Sequence, residues 1–177
     1  VPAIKDRVVQ QALKNVLEPI FEKTFLPQSH GYRPGTDAHA AVRKAEAFIN
    51  SGYHWLVDAD IEGFFDHVDH KILMDLVCEQ VSDGRVLSWI ESILKSGIMN
   101  EGVFEESTEG TPQGGNLSPL LANIYLNHFD RRMGDYGYLL LRYADDIIIF
   151  CKYEWEAQDA LKRAKEILER ELKLKLS

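Results

Sequence analysis

The sequence predicts an α+β fold, and three observations carry that expectation. Apolar residues recur at helical spacing in long stretches at both ends of the chain. An aromatic and branched run from Tyr53 to Ile61 reads as a strand between helices. Two more apolar runs, Tyr138 to Arg142 and Ile147 to Cys151, enclose only four residues and read as a tight hairpin. Strands separated by helices, with one hairpin, depart from the regular alternation of a parallel βα sheet.

The elements follow in order. From Asp6 to Phe25, residues Val8, Val9, Ala12, Leu13, Val16, Leu17 and Ile20 keep helical spacing, with Asp6 as N-cap. Pro19 is expected to kink or break that helix after Leu17, since it lacks an N–H and crowds the preceding turn. Pro27 and Gly31-Tyr32-Arg33-Pro34-Gly35 read as an irregular loop. Asp37 starts a second helix that ends at Ser51-Gly52. After the Tyr53 strand come Phe64 and Phe65, then helices over about Val68 to Val81 and Gly84 to Ser96. The acidic, punctuated stretch Ile98 to Glu109 fits a hairpin. Thr111-Pro112-Gln113-Gly114-Gly115 reads as a rigid turn into a helix over about Ser118 to Met133. Trp155 to Leu174, with alternating charge signs, reads as a long amphipathic helix.

Composition removes several classes. Hydrophobic residues make up 45% and charged residues 27% of 177 positions, an ordinary globular mixture rather than a disordered one. Arg142, Asp145 and Asp146 interrupt the most apolar region, so no membrane span is expected. Lys5, Asp6, Arg7 and Lys14 leave no secretory core, and Cys78 and Cys151 lack ligand spacing. These features point to a reducing, cytoplasmic setting. Net charge is −8, which by itself argues against a nucleic-acid binder. The charge is uneven, however: residues 51–150 hold six basic and seventeen acidic groups. A middle that acidic faces solvent or gathers cations.

Asp145-Asp146 between two apolar runs is the oddest feature. Taken alone, a charged pair at a hairpin tip reads first as a solvated turn. Asp60 changes the weighing, because it closes the Tyr53 strand with Asp58 two residues earlier on the same face. If the two strands are neighbours, Asp60 comes beside Asp145 and Asp146. Carboxylates about 4 Å apart repel by roughly 4 kcal/mol at an effective dielectric of about 20. A fold keeps such a cluster when cations neutralise it or a proton is shared. Oxygen ligands without His or Cys select hard ions, so Mg²⁺ is the natural candidate. Two ions about 3.5–4 Å apart would clamp the attacking and leaving oxygens of a phosphoryl transfer. Asp66-His67-Val68-Asp69-His70 has metal-like spacing, but reads better as surface residues of an opening helical turn capped by Asp66 or Asp69.

Five ordered blocks then carry a resemblance. Asp6-Arg7-Val8-Val9-Gln10, Gly31-Tyr32-Arg33-Pro34-Gly35, Asp60-Ile61-Glu62-Gly63-Phe64-Phe65-Asp66, the run from Thr111 to Asn123, and Tyr143-Ala144-Asp145-Asp146 resemble, in order and spacing, the reverse transcriptase of group II introns. The resemblance implies an RNA-directed DNA polymerase with a palm-like antiparallel sheet packed on helices. Residues 1–52 would be part of a mostly helical fingers region, and 53–177 a palm ending before its last block and the thumb. Asp60, Asp145 and Asp146 match the catalytic, metal-binding aspartates, and the Ile61 main-chain carbonyl helps hold a metal. Phe65 matches the steric gate under the incoming sugar. Gln113 and Gly114 match the nucleotide pocket, and Gly114 with Gly115 would allow close backbone approach. Arg33 is matched to template or triphosphate contact, whereas Asp58 reads as a strand-end hydrogen-bonding residue.

The implied cofactor is a pair of Mg²⁺ ions, with Mn²⁺ as a substitute. The implied partners are an RNA template, a DNA primer, dNTP, intron RNA, and fingers and thumb segments of the same protein, with no membrane. Val1-Pro2 in place of an initiator Met leads us to expect a piece of a longer protein, inactive alone. Two other classes share some of these features. A non-catalytic RNA-binding maturase scaffold would not need three intact aspartates and Gln113. A palm-fold nucleotide cyclase-like enzyme would share the carboxylates without needing the Pro-Gln-Gly block or the aromatic gate.

Overall fold

The computed structural model describes residues 4–95, 98–100, 103–105, 108–112 and 114–177. It comprises six α-helices and two sheets: α1 (Ile4–Phe21), β1 (Ser29–His30), α2 (Ala38–Asn50), β2 (Trp55–Ala59), α3 (His70–Cys78), α4 (Gly84–Lys95), β3 (Ile98–Asn100), β4 (Val103–Glu105), α5 (Ser118–Asp135), β5 (Leu139–Tyr143), β6 (Asp146–Cys151) and α6 (Glu154–Glu166). The chain forms two compact units. One contains Val1–Thr24 with Gly63–Tyr125, and the other Phe25–Glu62 with Leu126–Ser177. Each unit draws on two chain segments. Among the described residues, no helix is long and apolar enough to cross a membrane.

The second unit is built on a four-stranded sheet in the order β1-β5-β6-β2. β5 pairs antiparallel with β6 and β6 with β2, while the two-residue β1 runs parallel to β5. Alternation sends Leu139, Leu141, Ile148 and Phe150 to one face, where Ala41, Ala45 and Phe48 of α2 pack on them. α2 begins where Asp37 accepts the Ala40 N–H, the expected cap. The opposite face buries Leu140, Ile147, Ile149, Val57 and Ala59, and α6 packs against β2 and β6. The helix expected to run to Leu174 changes hand-hold at Ile167–Glu171, one π-helical turn. That turn buries Ile167 and Leu168 and presents Glu171 to both His128 and Arg132.

The first unit is mostly helical, with the β3–β4 ribbon. The helix already includes Ile4, so Asp6 lies within it rather than at its cap. The expected break at Pro19 does not occur. Leu17 and Phe21 are both buried one turn apart, and their anchoring outweighs the one backbone bond that Pro19 cannot make. α3 begins later than expected because Val68 and Asp69 are occupied otherwise. Gly110 N–H donates to the Val68 carbonyl, and Asp69 accepts the Ile72 N–H as cap. His70 is not a surface residue: it is buried, and its Nε2 lies 2.6 Å from the Gly110 carbonyl. That bond gives it a structural task in place of a ligand's.

Candidate active site

The register of the central strands gathers the carboxylates. β2 and β6 run antiparallel with Ala59 opposite Ile147, so one further step sets Asp60 across from Asp146. The β5–β6 hairpin closes with Tyr143 opposite Asp146, leaving Ala144 and Asp145 as a two-residue turn. Directly opposed residues place their Cβ atoms about 4.5–5.5 Å apart. Asp58, opposite Ile148, shares the face of Asp60. The structure thus brings Asp60, Asp145 and Asp146 to one corner of the sheet.

Their electrostatics follow. The Asp146 carboxyl is pushed above the ordinary carboxylate range, first by desolvation, then by the charges of Asp145, Asp60 and Asp58. The Tyr32 hydroxyl is likewise raised, by burial and then by Asp145, Tyr143 and Asp146. Asp60 is held from the far side of its strand. Its carbonyl accepts the Ser177 N–H at 3.0 Å and its Oδ2 lies 3.0 Å from Ser177 Oγ. Glu62 N–H donates to the Lys175 carbonyl. These bonds flank Ile61, which stands opposite Leu176, so the Ile61 carbonyl is outside that ladder.

Among the described residues, no three His, Cys, Asp or Glu side chains are arranged so that they could hold a metal ion as they stand. The donor chemistry nonetheless fits a hard divalent ion. Asp60, Asp145 and Asp146 offer carboxylate oxygens, which suit hard ions, and the like charges that add to burial in raising Asp146 are ones that a cation would relieve.

The turn is braced from two sides. Behind it, Arg142 is fully buried and pairs with the equally buried Asp130 of α5 at 2.7 Å. Its Nη1 donates to the Ala144 carbonyl at 2.6 Å and its Nη2 to Ser29 Oγ at 2.7 Å. From the neighbouring strand β1, the His30 carbonyl accepts the Ala144 N–H at 3.0 Å. A Cβ on Gly31 would stand 2.7 Å from the Ala144 nitrogen, so only glycine permits this approach. Ala144 itself has φ +58° and Tyr32 φ +56°, left-handed conformations that non-glycine residues adopt when surroundings impose them. Arg33 donates through Nη1 to the Leu26 and Ser29 carbonyls and lies over the Phe25 ring, tying its own loop together.

Phe65 and Gly114 belong to the first unit. Phe64 and Phe65 sit on one 3₁₀ turn, Phe64–Asp66. Phe64 is buried, whereas Phe65 is half-exposed with its ring edge-on to Phe64. Thr111 N–H donates to the Phe65 carbonyl at 2.8 Å, which joins the aromatic turn to the start of the Thr111–Gly115 block. Gly114 has φ +76° in open space, while a Cβ on Gly115 would stand 2.6 Å from Gln10 Oε1. The close approach is therefore made at Gly115. Gln113 lies outside the described residues.

Sequence reasoning missed Arg142, Asp130 and Ser29. The available signal was a charged residue, Arg142, inside an apolar strand next to the aspartates, which calls for a partner wherever it is buried.

A family model described as reverse transcriptase (RNA-dependent DNA polymerase) matches residues 1–177. Protein YkfC of Escherichia coli K12 is 38% identical over 135 residues, covering 74% of this chain and 35% of that protein. The group II intron-encoded protein LtrA of Lactococcus lactis subsp. cremoris is 38% identical over 131 residues, covering 74% of this chain and 22% of that protein. The chain thus spans about a third and about a fifth of those relatives. Telomerase from Candida tropicalis, solved with a fragment of telomeric RNA, superposes with a TM-score of 0.71 at 12% identity, over 96% of this chain and 32% of that one. At that identity the likeness speaks for the fold alone.

Proposed function

The chain belongs to the reverse transcriptase family and is a reverse transcriptase domain of the group II intron type; from that premise we propose that it carries the catalytic corner of an RNA-directed DNA polymerase, transferring dNTP to a primer 3′-hydroxyl. The observation that carries this reading is the convergence of Asp60, Asp145 and Asp146 at adjoining strand ends, with Asp146 raised by burial and then by those like-charged neighbours.

In this reading Asp60, Asp145 and Asp146, with the Ile61 carbonyl, would hold two Mg²⁺ ions, Mn²⁺ serving in their place. When bound, such ions lower the pKa of the primer hydroxyl and neutralise the departing pyrophosphate. The protein's own part is positional. The Arg142 and Gly31 braces keep the aspartate turn in one conformation, and the strand pairing keeps Asp60 beside it. Phe65 selects deoxynucleotides by excluding a 2′-hydroxyl, and Gln113 and Gly114 line the nucleotide pocket. Arg33 contacts template or triphosphate from the loop it ties together. An RNA template, a DNA primer and intron RNA are the polymeric partners. Residues 1–52 act with the fingers and 53–177 as palm, completed in the whole protein by thumb and further fingers.

Calorimetric titration of Mn²⁺ in the presence of primer–template and deoxynucleotide tests the proposal, with Asp145→Asn beside the wild type. Divalent-ion binding that Asp145→Asn loses, while its fold and melting temperature are kept, is the expected result. Equal binding by both proteins would remove the carboxylates from the mechanism.

A further inference from the structure

We propose that Arg142, paired with Asp130, is a positioning residue for the aspartate turn. It holds the Ala144 peptide so that Asp145 and Asp146 leave the sheet in a single arrangement. The inference rests on the polymerase reading only for why that arrangement matters.

Burial of this ion pair is complete: both side chains have 0% exposure. Taking two charges out of water is costly, and well-packed apolar replacements of such pairs are often as stable or more so. Stability is therefore a poor reason for the pair, and its geometry supplies a better one. The guanidinium is a rigid planar fork, and each of its prongs is engaged. Nε donates to Asp130 Oδ1 at 2.9 Å, Nη2 to Asp130 Oδ2 and to Ser29 Oγ, both at 2.7 Å, and Nη1 to the Ala144 carbonyl at 2.6 Å. One planar group thus references the turn to α5 and to β1 at once. The residue it holds is the left-handed Ala144, directly before Asp145. A lysine in its place could keep the charge pairing, but its single ammonium could not span three elements.

The test uses the 177-residue chain with two variants, Arg142→Lys and the double replacement Asp130→Leu with Arg142→Met. Three quantities are read: melting temperature, hydrogen exchange of the Ala144 amide, and Mn²⁺-induced broadening of the Asp145 and Asp146 amide resonances. The double variant removes both charges together and is expected to fold, its melting temperature lowered only by the Ala144 carbonyl and Ser29 hydroxyl that lose their donor. Its Ala144 amide should nevertheless exchange roughly tenfold faster or more, the scale of losing a hydrogen bond to a charged group, and Mn²⁺ broadening should need a similarly higher ion concentration. Retained Ala144 protection at retained stability would overturn the proposal and reduce the pair to packing. Should the double variant fail to fold, Arg142→Lys decides, because it keeps the charge: faster Ala144 exchange supports the clamp, and unchanged exchange refutes it. A wild type that shows no Mn²⁺ broadening would count against the polymerase reading, while the Ala144 exchange would still judge the clamp by itself.

Discussion

Replacing Gly31 by alanine measures how firmly the loop after β1 braces the aspartate turn. Gly31 has φ +78°, and a Cβ built there stands 2.7 Å from the Ala144 nitrogen and 3.4 Å from its Cα. Both are backbone atoms, so no side chain can rotate away. The left-handed conformation costs an L-residue about 1–2 kcal/mol, and forcing packed atoms aside adds about 1–3 kcal/mol. The His30–Ala144 hydrogen bond at 3.0 Å lies at the same place and is stretched by the same displacement. Gly35→Ala is the matched control. It has φ +73° with nothing within 4 Å of an added Cβ, so it carries only the conformational cost. For a chain of this size each kcal/mol lowers the melting temperature by about 2–4 °C. Thermal unfolding followed by circular dichroism is therefore expected to place Gly31→Ala roughly 2–12 °C below Gly35→Ala. Equal melting temperatures for the two variants would refute the bracing.

The remaining predictions concern the gate, the carboxylates and the thiols. Phe65→Ala is expected to raise ribonucleotide incorporation relative to deoxynucleotide by about tenfold or more in primer extension by the whole polymerase; unchanged discrimination would put the gate elsewhere. Asp146 has its carboxyl raised above 3.8, so the folded state holds that proton more tightly than the unfolded chain does. Its ionisation then weakens folding above the raised value and has no effect below the ordinary one. Asp146→Asn should accordingly raise the melting temperature at pH 7 and leave it unchanged near pH 3, and an equal gain at both would point to packing instead of charge. Cys78 is exposed, while Cys151 is buried with its thiol pushed up to about 11. One of the two thiols should react promptly with a disulfide reagent at pH 8, and both after denaturation.

The aspartate corner was legible because its signals are local. Alternating apolar runs fix which residues face the core, and a four-residue interval between them leaves room only for a tight turn, so Asp145 and Asp146 had to sit at a hairpin end. The pairing of β2 with β6 was the one long-range step. It followed from two strands that each have an aspartate at one end, although the sequence could not supply the register that sets Asp60 across from Asp146. Pro19 shows the opposite case. Its local penalty is real, yet the burial of Leu17 and Phe21 is decided by tertiary packing that no window of sequence contains. His70 failed for a related reason. Its spacing from His67 suggested a surface turn, whereas its partner is a carbonyl at Gly110, forty positions along the chain.

The Arg142 pair also settles what relieves the aspartates and what does not. Strand alternation sends Tyr143 and Asp146 to one face of the sheet and Arg142 and Ile147 to the other, so the guanidinium reaches the turn from behind. There its charge is met by both oxygens of Asp130. A paired guanidinium and carboxylate present almost no net charge to a group beyond them. Arg142 can therefore orient the turn without neutralising it, which is consistent with the Asp146 carboxyl remaining raised by burial and then by Asp145, Asp60 and Asp58. Had Arg142 been unpaired, its attraction would have lowered that carboxyl and competed with any cation arriving from solvent. Asp130 thus lets a guanidinium serve as an anchor beneath the turn while the corner keeps its negative charge.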